Sequence, residues 1–561
     1  MNWSNNIFQE FFKLFIVLVV FSCCRGIFLL QNAFFYDTNT LMDTLGIFAA
    51  GFKYDVAALL LINTPYIAIK TIATIKRNQS LQQLAKTLFI AVNLLAIIVN
   101  IIDIFYFAYT LDRLTFAFFD YLRTQKNLGI LLYRFAGDYW YGVIFFVAFI
   151  MLIVKGYNKI EKIKSPISLA PHYKNKLIIL GTALWLCGCT GSIIPFSNGL
   201  IVNQSKVETQ KVFKLAAQLN TPYNMLANWL DPIKKHPIEK LEENHYTAKS
   251  DTLFQKKNIV VFILEGFTKE ASGLLNPDMD NGNYKGYTPF LDSLMQKGYF
   301  FTNAYANGRR SMDAVPAILA SRPVSFYDDQ EKVISIASLL KNEGYTTQFY
   351  HGAHNGSMDF DIFCKKAGID QYFGLTEYNN MNDFDGTWGI WDEPFLQYMA
   401  QCQNKTQQPF CSTVFNLSSH NPYVLPEQHN DRFKEGVAPI SRCIEYADYS
   451  IKQYFETVKD MPWYENTVFV FAADHSIIPW HKSYASYDNS FAIPLFFFTP
   501  DQSLVGKSDR IAQQADIMPS LLNYLNYPKS YKAIGNDLFN SKTDQWAITE
   551  VMKVPHLIKR H

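Results

Sequence analysis

The stretch NIVVFILE (258–265) decides the fold of the C-terminal half of this chain, because an apolar, strand-like run ends directly on the carboxylate of Glu265. The run NTVFVFAA (466–473) has the same form and leads into Asp474 and His475. The carboxyl ends of the strands of a parallel α/β sheet meet at one edge, where ligands bind. The two runs therefore predict a parallel α/β sheet with two carboxylates and an imidazole at one edge.

A third run, STVFNLSS (412–419), leads into His420 and brings a second imidazole to the same predicted edge. Two carboxylates and an imidazole are suitable ligands for Zn²⁺ or Mn²⁺. A hydroxyl in the remaining position can be ionised by the metal and become a nucleophile. Each feature alone has an ordinary explanation as a strand end or a turn. Their combination predicts a metal-dependent ester-transfer site.

The candidate nucleophile is Ser311, in the stretch ANGRRSMDAVPAILAS (306–321). A Gly-Arg-Arg turn precedes it and apolar residues follow at helical spacing, which places Ser311 in the first turn of a predicted helix. Backbone N–H groups at a helix start favour anions. Arg309 and Arg310 would add charge-assisted contacts to a phosphate. The alternative for Ser311 is an ordinary helix N-cap.

Several stretches of the C-terminal half resemble the alkaline phosphatase/sulfatase superfamily, and within it the lipoteichoic acid synthase-like and phosphoethanolamine transferase-like membrane proteins. They occur in family order over nearly all of this half. The resemblance implies an α/β/α sandwich of alkaline phosphatase/sulfatase type. The matching stretches are IVVFILEGFTKEASG (259–273), TPFLDSLMQKGYFFTNAYANGRRSMDAVPAILASRP (288–323), FYHGAHNGSMDF (349–360), NLSSHNPY (416–423), FAADHS (471–476) and ADIMPSLLNYL (515–525).

The resemblance also implies a set of metal ligands and one divalent metal, Mn²⁺ or Zn²⁺. The implied ligands are Glu265, Ser311, Asp474 and His475. The residue matching Ser311 also carries the covalent intermediate in the family. Lipoteichoic acid synthases have Thr at that place, so Ser311 is a departure from them that leaves the particular substrate open.

Three further residues are candidates for substrate binding: His420, Arg310 and His351. His420 would contact a phosphoryl group or help to protonate a leaving oxygen. Arg310 stands next to the nucleophile. His351 and its neighbour His354 are either contacts to a head group or ordinary loop residues, and the sequence leaves both alternatives open.

The resemblance implies a membrane-anchored transferase that moves phosphoglycerol or phosphoethanolamine from a phospholipid donor to a glycan or lipid acceptor. One alternative is a phosphodiesterase or sulfatase-like hydrolase, with water as the acceptor. Sulfatases of the formylglycine type need x-Pro-x-Arg after the modified residue, whereas Met-Asp-Ala-Val follows Ser311, so that motif is absent. A second alternative is a non-catalytic, lipid-sensing relative, which the filled ligand positions disfavour.

The first half of the chain predicts a membrane domain. Five long apolar stretches lie at about 10–30, 45–70, 83–109, 128–154 and 175–195. Each is about as long as the roughly 20 residues that cross a bilayer. We therefore expect five transmembrane helices in residues 1–195, a juxtamembrane linker in 196–257 and an extracytoplasmic catalytic domain in 258–561.

Charges interrupt the apolar stretches, among them Arg25, Asp55 and Asp103. Charges inside a membrane usually face other helices or a polar cavity. We expect a structural role for them more than a catalytic one. The segment NQSKVETQKVFKLAAQLNTPYNMLANWL (203–230) is helix-like, with apolar residues on one face, and is predicted to lie along the membrane surface.

The cysteines and the net charge disfavour two further classes of function, a cysteine zinc cluster and nucleic-acid binding. Cys364, Cys402, Cys411 and Cys443 lie in the outer domain, a compartment that permits disulfides. A pairing of Cys402 with Cys411 is one of three connectivities. The sequence has no Cys-x-x-Cys, which disfavours a zinc cluster. A net charge of +2 gives no nucleic-acid signature.

The lysine distribution predicts the orientation in a bacterial inner (cytoplasmic) membrane. The connections after the second and fourth stretches are rich in Lys, whereas QNAFFYDTNTLMDT (31–44) has no Lys or Arg. The positive-inside rule puts the Lys-rich loops in the cytoplasm and the C-terminal domain outside. A reporter enzyme fused after Phe254 should therefore be active only if it functions outside the cytoplasm. Activity of a cytoplasm-only reporter at the same junction would contradict this topology.

Overall fold

A computed structural model describes residues 3–36, 40–124, 128–164, 209–230, 242–248, 252–323, 333–433, 435–543, 545–552 and 554–559. The chain divides into two compact units. Residues 1–120 and 132–234 form the first unit, and residues 121–131 and 235–561 form the second.

The N-terminal part of the chain is helical. Among the described residues, four helical segments are long and apolar enough to cross a membrane: Asn5–Gln31, Leu41–Lys76, Gln79–Thr110 and Trp140–Ile160. The helices are α1 (Trp3–Gln31), α2 (Leu41–Lys76), α3 (Gln79–Thr110), α4 (Ala117–Thr124), α5 (Leu128–Asp138), α6 (Trp140–Ile160), α7 (Thr209–Gln218) and α8 (Thr221–Leu230).

The first three predicted spans coincide with α1, α2 and α3, whereas the fourth differs from its prediction. The apolar stretch 128–154 does not form one helix. It is divided at Tyr139 into α5 and α6. Gly137 and Asp138, which directly precede this break, are poor helix formers in helix interiors. The fifth predicted span, 175–195, lies outside the described residues.

The charges that interrupt the apolar stretches form two buried ion pairs inside the first unit. Arg25 of α1 lies 2.6 Å from the Asp55 carboxylate of α2. Asp103 of α3 lies 2.5 Å from Arg113. All four side chains are almost completely buried. A buried cation without a partner is costly, so each pair compensates its own charges.

The same two arginines hold the segment that follows the membrane helices. Arg25 donates to the carbonyls of Ala217 and Gln218, and Arg113 donates to those of Ala216 and Leu219. These carbonyls belong to the C-terminal end of α7, which lacks partners within the helix and carries partial negative charge. The two guanidinium groups therefore cap α7.

Residues 209–230 do not form the single surface helix that the sequence predicts. The segment bends between α7 and α8, where the Asn220 side chain donates to Asp55 at 2.9 Å and the Thr221 hydroxyl donates to Asp103 at 2.7 Å. Phe213 is completely buried within the unit. The prediction of one continuous helix was wrong, because polar groups of α2 and α3 bind this bend. That the segment lies along the membrane surface stays a prediction.

The second unit is built on an eight-stranded mixed sheet with the strand order β5-β4-β6-β2-β7-β8-β3-β9. Every pairing is parallel except those of β8 with β7 and with β3. The strands are β1 (Asn244–Tyr246), β2 (Asn258–Leu264), β3 (Tyr299–Tyr305), β4 (Thr346–His351), β5 (Gln371–Phe373), β6 (Phe410–Phe415), β7 (Thr467–Ala473), β8 (Leu495–Phe498), β9 (Gly506–Gln513), β10 (Tyr531–Ala533), β11 (Trp546–Val551) and β12 (Val554–Lys559).

Helices pack on this sheet in two groups, and every residue of β2 and β7 is buried. Central strands covered on both faces are continuously apolar, as these two are. The predicted α/β/α sandwich with a largely parallel sheet is confirmed. One group consists of α9 (Pro289–Lys297), α14 (Asp392–Lys405) and α15 (Ser441–Val458). The other consists of α10 (Ser311–Ala320), α11 (Ile336–Lys341) and α16 (Ile517–Tyr524). Two short helices, α12 (Phe360–Lys366) and α13 (Leu375–Tyr378), lie between β4 and α14 in the chain.

The pairing of Cys402 with Cys411, one of the three connectivities considered, is not formed, since both are free thiols in the structure. Cys402 lies on α14 beside Tyr350. Tyr350 is paired with Val414, whereas Cys411 is three residues away along β6 and so projects from the opposite face of the sheet. The sheet separates the two sulfur atoms. Cys364 and Cys443 are also free thiols.

The Arg25–Asp55 pair predicts a large effect of a single substitution. Asp55→Leu should lower the stability of the first unit by about 3–5 kcal/mol, because it leaves the Arg25 cation buried without its carboxylate. Thermal unfolding of the purified protein in detergent micelles measures the loss. The matched control is Asp43→Asn, which removes an exposed partner 3.7 Å from Lys214 and should change stability by about 0–1 kcal/mol. Equal unfolding temperatures for Asp55→Leu and the wild type would contradict this role.

Candidate metal centre

The pairing of β2 with β7 places Glu265 beside Asp474. Leu264 and Ala473 are paired at the ends of the two strands, so the next residue of each strand is a carboxylate. The Gly266 N–H, in the turn that follows β2, donates to Asp474 Oδ1 at 2.8 Å and joins the two strand ends. Gly266 has φ 65°, a left-handed conformation that glycine adopts without steric cost.

The third member of the cluster is His475, which follows Asp474 directly. Its Nε2 lies 3.2 Å from Asp474 Oδ2 and 3.6 Å from Glu265 Oε1. One ligand atom from each of the three residues lies within 4.8 Å of the others, the spacing that a single metal ion requires. The three predicted side chains therefore converge on one point.

Ser311 is the first residue of α10, and its hydroxyl reaches the same point. Ser311 Oγ donates to Asp474 Oδ2 at 2.8 Å and lies 3.3 Å from Glu265 Oε2. The side chain is almost completely buried. The hydroxyl thus lies within hydrogen-bond distance of both carboxylates of the cluster.

The electrostatics of the cluster suit a divalent cation. Glu265 and Asp474 are both buried, and their carboxylates carry like charge at close range. Burial first, and the Asp474 charge second, raise the pKa of Glu265 well above its usual range. A cation at this point would offset the cost of burying the Glu265 charge and its repulsion from Asp474. Two carboxylates with one imidazole form a donor set suited to Zn²⁺ or Mn²⁺.

Residues that sequence reasoning missed hold Glu265 in place. The Asn416 amide oxygen accepts from the Glu265 N–H at 2.7 Å, and the Asn416 amide nitrogen donates to Asp392 at 2.9 Å. Asp392 also accepts from the N–H groups of Leu417 and Ser418. Asp392 begins α14, far from the other site residues in the chain. The only sequence signal would have been an Asn at the end of β6, next to the predicted site edge.

His420 lies close enough to the cluster that the charges of His475 and Asp474 both affect its pKa. Burial and the neighbouring His475 lower the pKa of His420 to about 4. Its Nδ1 lies 3.0 Å from the Asn421 carbonyl, so the proton of the neutral ring is on Nδ1 and Nε2 is an acceptor. The ring packs against Trp388, with centroids 4.0 Å apart, a contact that the sequence did not predict.

The two arginines before Ser311 have different roles. Arg309 is buried and donates to the Ser476 hydroxyl at 2.8 Å and to the Ser490 carbonyl, so it links loops of the protein. Both of these bonds are made by Nη1, and the expected contact of Arg309 with a phosphate stays a prediction. Arg310 forms an ion pair with Asp313 at 2.7 Å and keeps 45% of its side chain exposed. It lies next to the nucleophile with a surface that a substrate can reach.

The structure does not place His351 on the surface of the site. The residue is fully buried at the end of β4, and its ring packs against Phe360 and Phe415. Its Nδ1 lies 3.1 Å from the Tyr372 hydroxyl. Burial lowers the pKa of His351 to about 3, which keeps the ring neutral. In this conformation its position fits the core and not contact with a head group.

Comparison with known proteins agrees with this architecture. Residues 257–527 match the family model described as Sulfatase. Lipoteichoic acid synthase-like YvgJ of Bacillus subtilis is 24% identical over 344 residues, which cover 55% of each chain. Lipoteichoic acid synthase of Staphylococcus aureus (strain USA300) is 27% identical over 349 residues, which cover 57% of this chain and 52% of that one. The chain thus spans about half the length of these curated relatives.

Two solved structures are also similar. A protein in the alkaline phosphatase superfamily from Vibrio parahaemolyticus is 28% identical with a TM-score of 0.49, covering 58% of this chain and 80% of that one. The lipoteichoic acid synthase LtaP from Listeria monocytogenes is 19% identical with a TM-score of 0.46, covering 54% and 81%. With the Sulfatase match and the curated relatives, the predicted resemblance to the alkaline phosphatase/sulfatase superfamily is confirmed.

The cluster predicts different effects of its members on metal binding. Asp474→Ala should weaken Mn²⁺ binding by more than about 100-fold, since loss even of outer-shell partners costs 10–100-fold. Ser311→Ala should keep affinity within about tenfold, because Glu265, Asp474 and His475 remain. Affinity should also fall as pH is lowered, since protons compete with the metal for Glu265, whose pKa is raised.

Isothermal titration calorimetry with Mn²⁺ on the purified protein measures these affinities. The control is Asp488→Asn, which removes a half-exposed carboxylate that contacts His556 and should leave affinity unchanged. Wild-type affinity in Asp474→Ala would place the metal elsewhere.

Proposed function

We propose that this protein transfers a phospho-alcohol group, phosphoglycerol or phosphoethanolamine, from a phospholipid to a glycan or lipid acceptor through a phospho-serine intermediate. The observation that supports the proposal most is the position of Ser311. Its hydroxyl lies within hydrogen-bond distance of Asp474 and close to Glu265, in a cluster that a cation fits. The curated relatives are named lipoteichoic acid synthases, and the membrane-length helices suit a lipid donor.

Glu265, Asp474, His475 and Ser311 would hold one divalent metal, Mn²⁺ or Zn²⁺. When bound, the metal would neutralise the carboxylates, lower the pKa of the serine hydroxyl and stabilise charge on phosphoryl oxygens. Asp474 accepts the Ser311 hydrogen bond and so fixes the direction in which Oγ points. The N-terminal N–H groups of α10 favour the anionic phosphoryl group near Ser311.

The reaction consists of two displacements at phosphorus. In the first, the Ser311 hydroxyl gives up its proton, Oγ attacks, the bond from phosphorus to the diacylglycerol oxygen breaks, and diacylglycerol leaves with a proton. In the second, the acceptor hydroxyl gives up its proton and attacks, the bond from phosphorus to Ser311 breaks, and Ser311 Oγ takes up a proton. Each attack is in line with the leaving oxygen. The acceptor therefore enters at the position that diacylglycerol has left.

His420 contacts the phosphoryl group in this proposal. It is neutral in the structure because its pKa is lowered to about 4. A neighbouring anion raises the pKa of an imidazole, so binding of the phosphodiester favours uptake of a proton by His420. The charged ring would then donate a hydrogen bond to a phosphoryl oxygen. Arg310, exposed beside Ser311, adds a second cation near the substrate.

A hydrolase with the same intermediate is the alternative function. A phosphodiesterase would differ only in using water as the acceptor, and the cluster serves both reactions. The dependence of product formation on an added glycan or lipid acceptor distinguishes them. Release of the free head group at a rate that the acceptor does not change would favour the hydrolase.

The nucleophile predicts a clear outcome. Ser311→Ala should abolish transfer from a phospholipid with a labelled head group, while the protein still folds and binds Mn²⁺. In the wild type, mass spectrometry of the quenched enzyme should find the adduct on Ser311, and its mass distinguishes glycerol from ethanolamine. His556→Gln serves as a control that should keep full activity. A covalent adduct in Ser311→Ala would show that the nucleophile is another residue.

A further inference from the structure

The two displacements need an acid–base group at the position that the leaving alcohol and the acceptor share. Diacylglycerol must leave with a proton, and the acceptor hydroxyl must lose one at the same place. We propose that His481, oriented by Glu270, is this acid–base residue. The proposal rests on the proposed function and assigns a residue for its proton transfers.

Glu270 lies in the loop that follows β2, and His481 lies in the loop that follows β7. Glu270 follows Glu265 by five residues, and His481 follows His475 by six. The loops are in contact beside the cluster, because a Cβ added to Gly266 would lie 3.1 Å from Cγ2 of Ile477. The pair therefore lies at the same edge of the sheet as the metal centre.

Glu270 is completely buried and binds the backbone and the side chain of the opposite loop. Its carboxylate accepts from the Trp480 N–H at 3.1 Å and from the His481 N–H. His481 Nδ1 lies 2.8 Å from the same carboxylate. A carboxylate bound to Nδ1 fixes the tautomer of the imidazole and leaves Nε2 as the basic atom.

The imidazole is held on one side and open on another. About a quarter of the His481 side chain, 26%, is exposed, although the carboxylate bound to Nδ1 has no exposed surface. The exposed part of the ring is therefore not the part that binds Glu270. The Tyr284 ring packs edge-on against the imidazole at 5.5 Å, and its hydroxyl donates to the Glu270 carbonyl at 2.8 Å. These contacts fix the plane of the ring.

The charges around the pair are compatible with proton exchange near neutral pH. Burial raises the pKa of Glu270 to about 7, although the N–H groups of His481 and Trp480 oppose the shift. Burial also raises the pKa values of Tyr284 and Tyr484, which keeps both phenols neutral. Lys269 Nζ donates to the Thr302 carbonyl at 2.6 Å. Among the described residues, other charged groups near the pair include Asp280, which acts on Tyr284, and the exposed Lys482 next in the chain.

His420 is the competing candidate for the same role, and the two imidazoles differ in their partners. His420 has a backbone carbonyl at Nδ1 and a pKa lowered to about 4, whereas His481 has a carboxylate at Nδ1. A carboxylate at Nδ1 fixes the tautomer of the His481 ring and leaves Nε2 as the atom that can exchange a proton. This difference favours His481 for transfer and His420 for contact with the phosphoryl group.

The Glu270–His481 contact also holds two loops together, so loss of activity alone would not separate the two roles. The dependence of the rate on the leaving group separates the catalytic role from the structural one. A p-nitrophenyl phosphodiester releases nitrophenolate without protonation, whereas a phospholipid needs a proton on the departing diacylglycerol oxygen. Formation of phospho-Ser311 is followed with both donors, in single turnovers of the full-length, metal-loaded enzyme.

The expected result for His481→Gln is a loss of about 10²–10⁴-fold with the phospholipid and nearly wild-type formation of phospho-Ser311 with the nitrophenyl donor. Transfer from the adduct to the acceptor should slow by a similar factor and lose its dependence on pH. Glu270→Gln should change the pH profile of this second step, because it removes the carboxyl group whose pKa is raised to about 7. The control, His556→Gln, alters another His–carboxylate pair and should change neither donor's rate.

Equal losses in the rate of phospho-Ser311 formation with both donors in His481→Gln would show that the pair only holds the two loops together. This result would overturn the inference. The inference would also be overturned if His420→Gln, and not His481→Gln, showed the leaving-group dependence. Absence of phospho-Ser311 in the wild type with either donor would instead contradict the proposed function itself. The experiment therefore separates the two failures.

Discussion

The contact between two carboxylates at the ends of β2 and β7 is the constraint on which the second unit depends. Parallel pairing of Leu264 with Ala473 forces Glu265 and Asp474 into the interior side by side. Like charges at this distance are unfavourable in a buried place, as the raised pKa of Glu265 shows. The fold compensates with donors: the Gly266 N–H, the Ser311 hydroxyl and the His475 ring all face the pair.

The surrounding structure serves to keep this unfavourable contact in place. Asn416 and Asp392 fix the backbone of Glu265 from β6 and α14, and Arg309 ties the turn before Ser311 to the loop after His475. None of these residues contributes to the cluster of possible ligands. Their contacts restrict the movement of ligand-bearing segments, which is the condition for a site that must be preorganised before a cation and a substrate arrive.

The first unit also buries charged side chains, but these have opposite signs and form ion pairs. Arg25 with Asp55 and Arg113 with Asp103 are buried pairs whose guanidinium groups also cap the carbonyls at the end of α7. The charges are thus structural, as expected, yet they bind a segment that follows the membrane helices and not only the helices themselves. The bend at Asn220 and Thr221 supplies the polar partners for both aspartates.

The sequence by itself determined the central strands, the edge of the sheet and the cluster of Glu265, Ser311, Asp474 and His475. It could do so because an apolar run that ends on polar residues identifies a buried strand and also shows which end of the strand lies at the ligand-binding edge. It also located the first three membrane-length helices, whose signal is local and depends only on hydropathy and length.

Tertiary structure alone decided which side chains meet across the sheet and across the loops. His351 and His420 both lie at or after strand-like runs, but the ring of His351 is enclosed by Phe360 and Phe415, whereas His420 lies near the charges of His475 and Asp474. Cys402 and Cys411 are near in sequence and are separated by the sheet. Glu270 and His481 lie 211 residues apart, and no local pattern joins them. Strand order and loop packing are long-range properties, which spacing along one chain does not encode.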